Sequence, residues 1–145
     1  MAAAATLSLS VQYAVRDAEL PTRAAVRKWV RAAQAGATGL TVRFVDAAEG
    51  RALNARFRGK DYATNVLTFA YAPAPALQGD IVVCVPVVRR EAAAQGRPAA
   101  AHFAHMVVHG MLHLQGYDHE RDADAGIMEG RERDILAHLG YPDPY

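Results

Sequence analysis

Three imidazoles fall within one short stretch of this 145-residue chain, His109-Gly110-Met111-Leu112-His113-Leu114-Gln115-Gly116-Tyr117-Asp118-His119. His109 and His113 are four residues apart, one turn along the same face of a helix. Gly116 can end that helix in a left-handed conformation, which other residues adopt only at a cost. The chain can then fold back and return His119 toward the first two. Three imidazole nitrogens around an open fourth position suit zinc, with that position left for a metal-bound water. Asp118 is an alternative ligand, or a carboxylate that orients an imidazole.

His102, His105 and His138 read as core or surface histidines satisfied by ordinary hydrogen bonds. His105 and His113 lie eight residues apart, about 12 Å along a helix axis. Two nitrogens on one zinc are at most about 4 Å apart. Three successive turns therefore cannot easily share one ion, and the third ligand must come from beyond the helix. The spacing also matches the metalloprotease pattern H-E-x-x-H-x-x-G-x-x-H, whose glutamate is the general base. Here that position is Gly110, which has no side chain to take a proton. Glu120 is the nearest substitute, and peptide hydrolysis is disfavoured.

The elements that must position these residues follow from periodicity. Residues 6–13 alternate apolar and polar, as a half-buried strand does. Pro21 opens a helix with Ala25, Val26, Trp29, Val30 and Ala33 as its stripe, and Gly36 and Gly39 bracket its end. Leu40 to Val45 is a second strand. Asp46 and Glu49 form a capping box for a helix that turns Leu53 and Phe57 inward and carries Arg51, Arg56 and Arg58, with Lys60 just beyond. Asn65 to Tyr71 is a third strand. Residues 72–78 read as a loop, because prolines cannot donate to a ladder. Gly79 to Val85, nearly all apolar, is a central fourth strand holding a buried, inert Cys84. A short helix spans about Pro86 to Gln95. Pro98 opens the long, buried helix of the histidines, and a last helix runs from about Glu120 to His138. The four-residue spacing of Gly126 and Gly130 in that helix suits close packing on a neighbour.

The length fits one domain, residues 1–145. Of the residues, 52% are hydrophobic, enough for a core, and many of them are alanine. The lone cysteine excludes an internal disulfide framework. No apolar run nears the roughly 20 residues of a membrane helix, and the N-terminal residues lack the positive charge of a secretory leader. A cytoplasmic location is the expectation. The net charge of +1 conceals an asymmetry: 13 Lys/Arg against 7 Asp/Glu up to residue 117, and 3 against 8 beyond it. A basic body is compatible with an anionic partner.

On these residues the chain resembles the YbeY family of bacterial single-strand-specific endoribonucleases, also described as ribosomal RNA maturation factors. The family signature H-G-x-L-H-L-x-G-Y-D-H is present in full from His109 to His119. Leu53 to Lys60 resembles its L-N-x-x-[YF]-R segment, Thr64 to Phe69 its T-[DN]-V-L-S-F strand, and Gly79 to Val82 its L-G-D-I strand. Met128, Glu132 and Leu139-Gly140-Tyr141 fit its C-terminal helix and ending. Ala63, Thr68, Ala70 and Gln78 depart from the pattern at packing positions.

The resemblance implies an α+β fold, a small mixed four-stranded sheet flanked by helices, with the metal site at the end of a central helix. It implies one zinc ion on His109, His113 and His119, and Arg58 as a functional arginine in the cleft. It implies processing of ribosomal RNA, especially 3′-end maturation of the small-subunit RNA, and a link to ribosome quality control. The expected partners are single-stranded RNA and the small ribosomal subunit with its proteins or assembly factors. Arg58 would contact a phosphate in the transition state, and Arg51, Arg56 and Lys60 would guide the RNA backbone. The alternative reading is a zinc-stabilised ribosome-assembly factor that binds without cutting.

Overall fold

The computed structural model describes residues 5–16 and 19–145. The first four residues, on which the reading of the N-terminus partly rests, lie outside that set. Four strands are observed: β1 (Leu7–Tyr13), β2 (Ala37–Val45), β3 (Val66–Ala72) and β4 (Ala76–Cys84). Five helices accompany them: α1 (Arg23–Ala33), α2 (Ala47–Arg58), α3 (Val85–Ala94), α4 (Ala99–Leu114) and α5 (Asp122–His138). The sheet order is β1-β2-β4-β3. β1 and β4 each run parallel to β2, and β3 closes the edge antiparallel to β4. The fold is therefore α+β with a small mixed sheet, as the sequence implied.

Alternation in the strands sorts the two faces. Val11, Leu40, Val42, Phe44, Ile81 and Val83 share a core with residues of α1, α4 and α5. Val45, Leu67, Val82 and Cys84 face the other way and pack with Val87 of α3 and Leu53 of α2. Burial pushes the Cys84 thiol up, which fits the inert role expected for it.

Several boundaries differ from the sequence reading. Thr22, not Pro21, caps α1, its hydroxyl accepting from Ala25 N at 3.1 Å. Gly39 lies inside β2, paired with Ser8 and Gln78, rather than at a helix end. The proline loop is short: Ala76, Leu77 and Gln78 pair with Ala37, Thr38 and Gly39. The prolines bar pairing only where they stand, and Leu77 is 2% exposed. In α2 Leu53 packs inward as expected, and beside it Asn54 is buried, its Nδ2 donating to Tyr62 O at 2.7 Å. Phe57 is 48% exposed, its ring edge-on to Phe69. A Cβ on Gly126 or Gly130 would meet nothing within 4 Å, so neither glycine serves close packing. Among the described residues, no helix is long and apolar enough to cross a membrane.

Candidate metal centre

The position of the histidines is set by how deeply α4 is sunk into the molecule. From Ala101 to Val108 every residue is buried, as expected of a helix apolar around most of its circumference. Gly110 lets it approach β4: a Cβ there would lie 3.0 Å from Ile81 Cδ1. The C-terminal end is tied to α1 by Gln115, which donates to Ala33 O at 2.8 Å and accepts from Ala35 N at 2.7 Å. Gly116 then takes φ 100°, and Tyr117 N closes onto Leu112 O at 3.1 Å. This is the left-handed stop expected from the sequence. Asp118 Oδ1 accepts from the backbone of His119 at 2.7 Å and of Glu120 at 3.1 Å, which fixes the turn that brings His119 back.

The returned ring stacks beside both helical histidines. Its centroid is 5.3 Å from that of His109 and 5.9 Å from that of His113. Imidazoles bound to one zinc through nitrogens about 2.1 Å away, at tetrahedral angles, have centroids about 5 Å apart. Both separations are near that value, while the ligand-type atoms that lie within 4.8 Å of one another belong to His105, His109 and Glu132. Partial burial, and then the neighbouring His109 and His119, hold the His113 pKa below its ordinary value. That favours the neutral ring, the form that binds metal.

Arg58 and the β3 residues Val66, Leu67 and Thr68 complete a cleft of about 150 Å³ with the three histidines. Arg58 stands in the last turn of α2, just before Gly59 ends the helix at φ 69°. Its Nη2 donates to Thr68 O at 2.6 Å and its Nη1 to Phe57 O at 3.2 Å. The guanidinium lies 5.0 Å from the Phe69 ring centroid. The other basic residues of the segment are placed differently. Arg51 is paired with Asp61 through two contacts, at 2.8 and 3.0 Å. Arg56 stacks over Phe57 at 5.1 Å, and Lys60 is exposed beyond the helix end.

Behind the histidines lies a residue that the sequence placed only in the family's C-terminal helix pattern, with no role at the site. Glu132 of α5 is fully buried. It accepts from His109 Nδ1 at 2.5 Å, from His105 Nε2 at 3.1 Å and from the Tyr145 hydroxyl. Burial alone would raise its pKa, but these three donors outweigh it and pull the carboxyl down to about 2. The signal was present: Met128, Glu132, Ile135 and Leu136 form the buried stripe of α5, and an acid in an apolar stripe requires partners. His105, His109 and Glu132 place ligand-type atoms within 4.8 Å of one another, a group able to hold a metal ion. His102, as expected, is satisfied by an ordinary partner, Glu91 Oε1 at 2.9 Å.

Beside the four-stranded mixed sheet, three histidines and an arginine line one cleft. The family model described as Endoribonuclease YbeY matches residues 10–140, and the chain belongs to the YbeY family. Endoribonuclease YbeY of Aromatoleum aromaticum is 57% identical, covering 99% of this chain and 95% of that protein. The Nitrosomonas europaea protein of the same name is 52% identical over 96% of this chain and 85% of its own. The solution structure of TM1509 from Thermotoga maritima superimposes with a TM-score of 0.67 at 27% identity, covering 90% of this chain and 88% of that one. The non-cutting alternative is not favoured by this membership.

Proposed function

We propose that this chain is a single-domain, zinc-dependent endoribonuclease that cuts single-stranded RNA during ribosomal RNA maturation, 3′-end formation of the small-subunit RNA in particular. The observation that carries the reading is the convergence of His109, His113, His119 and Arg58 on one small cleft. The three imidazoles would hold the ion and leave its charge uncancelled, which favours an anionic ligand. A bound zinc polarises a phosphate oxygen and lowers the pKa of water toward about 7. Arg58 has five N–H donors, of which two are used on the Phe57 and Thr68 carbonyls. The others are available to a phosphate, and the carbonyl anchors hold the fork in place while charge develops there. Arg56 and Lys60 add positive charge along the approach, so affinity falls as salt rises. The small ribosomal subunit and its assembly factors are the proposed setting, in the cytoplasm.

The test is cleavage of matched single- and double-stranded RNA by zinc-loaded wild type and His113→Ala, with zinc content measured on both. The expected outcome is cleavage of the single strand only, lost together with zinc in the variant. Cleavage that persists after zinc is lost would sink the reading.

A further inference from the structure

A carboxylate buried without partners costs several kcal/mol, so the three donors around Glu132 need a reason to be where they are. Their chemistry supplies one. An ionised carboxylate only accepts, so the proton between Glu132 and His109 belongs to His109 Nδ1. The ring of His109 then has one free lone pair, on Nε2, the only nitrogen left for the cleft shared with His113 and His119. The 2.5 Å separation of Nδ1 and Glu132 Oε1 is a hydrogen bond. Two ligand atoms on one zinc sit about 3.4 Å apart, given bonds of about 2.1 Å, so Glu132 and Nδ1 do not share an ion. His105 backs the same carboxylate. Its Nδ1 is buried with no partner, so its proton sits on Nε2, directed at Glu132 Oε2.

The third donor comes from the last residue of the chain. The segment after α5 folds back along it: Arg133 Nε lies 3.1 Å from both Asp143 oxygens, and Asp143 Oδ1 accepts from Tyr145 N at 2.9 Å. The Arg133 guanidinium covers the Tyr145 ring at 5.2 Å, and that ring meets His105 edge-on at 5.4 Å. The tyrosine is exposed on its outer side, while its hydroxyl reaches the buried Glu132.

We propose that Glu132 is a positioning residue of the metal centre, fixing the proton on His109 Nδ1 and presenting Nε2 to the cleft. In this arrangement Tyr145 is the strap that holds the Glu132 carboxylate in place. The proposal rests on the assignment of His109 as a ligand, and its test separates the two. In metal-free wild type, long-range nitrogen–proton correlation spectra should find the His109 proton on Nδ1. Zinc affinity, measured by competition with a chelator, should fall about 10–100-fold in Glu132→Gln, the usual cost of losing such an orienting partner. Tyr145→Phe should fall severalfold in the same direction and keep its cooperative melting, which covers the case in which Glu132→Gln does not fold. A His109 proton on Nε2 in the metal-free protein overturns the proposal, as does zinc affinity within twofold of wild type in Tyr145→Phe and in a folded Glu132→Gln. A wild type that binds no zinc overturns the ligand assignment itself, while the spectra still decide where the proton sits.

Discussion

A Cβ placed on Gly110 would come within 3.0 Å of Ile81 Cδ1 and 3.2 Å of its Cγ2. Position 110 therefore points into the sheet, not into the cleft of His109 and His113. The missing acid is a packing requirement before it is a catalytic loss. Gly110→Ala sets an overpacking cost of about 1–3 kcal/mol against about 1 kcal/mol gained by replacing a helical glycine, so it should not stabilise the protein as an open helical site would. Urea denaturation measures it, and a variant about 1 kcal/mol more stable than wild type would refute the packing account. Gly110→Glu should fail to fold rather than gain peptidase activity.

Arg58 is fixed by two carbonyls and the face of Phe69. Lysine cannot reproduce that fork, because its ammonium is a single point of charge. Arg58→Ala should lower the turnover of single-stranded RNA by about 10²–10³-fold, the scale of losing a preorganised donor. Zinc content and melting temperature should stay at wild-type values. Arg58→Lys should recover little of the rate. A lysine variant that cuts as fast as wild type would show that charge alone is needed.

The strands and helices were legible where periodicity is strong, as in the alternation of Leu7, Leu9, Val11 and Tyr13. They blurred where one residue type carried two meanings. The prolines at 73 and 75 marked a turn, but nothing local showed that Leu77 already belonged to the sheet. Phe57 read as core because it is apolar, although Asn54 takes the buried position by bonding the Tyr62 carbonyl. The histidine triplet was visible because its spacing is local. The role of Glu132 was not, because it depends on α5 lying against α4, a contact between residues 23 apart in sequence. Tyr145 lies 40 residues from His105, and no spacing rule reaches that far.

His102 offers a pH signature. It is buried, donates from Nε2 to Glu91, and its Nδ1 lies 3.4 Å from Arg97 Nη1. Glu91 also accepts from Asn65, and the His105 ring stands 5.8 Å away. Burial lowers the His102 pKa below 6.5 despite the Glu91 bond. The sign follows: below pH 6.5 the unfolded chain takes up a proton that the folded ring declines. Stability is therefore present above 6.5 and lost as pH falls from there toward the lowered value, by at most about 1.4 kcal/mol per pH unit. His102→Gln keeps a donor for Glu91 and cannot titrate. Its unfolding free energy should fall less steeply than that of wild type between about pH 6.5 and 5. Equal slopes for the two proteins in urea titrations would rule out His102 as a source of acid sensitivity.

Gly126 and Gly130 interrupt α5 without using their freedom. Neither has a positive φ, and a Cβ on either would meet nothing within 4 Å. Each therefore carries the backbone entropy cost of glycine with no compensating contact. Gly126→Ala and Gly130→Ala should each stabilise the protein by about 0.4–1 kcal/mol. Denaturant midpoints should rise while the dependence on denaturant stays unchanged. The added methyls lie on the helix that carries Glu132 but do not touch its carboxylate, so zinc affinity should remain at the wild-type value. A loss of stability in either variant would mean that the glycine serves a contact this structure does not contain.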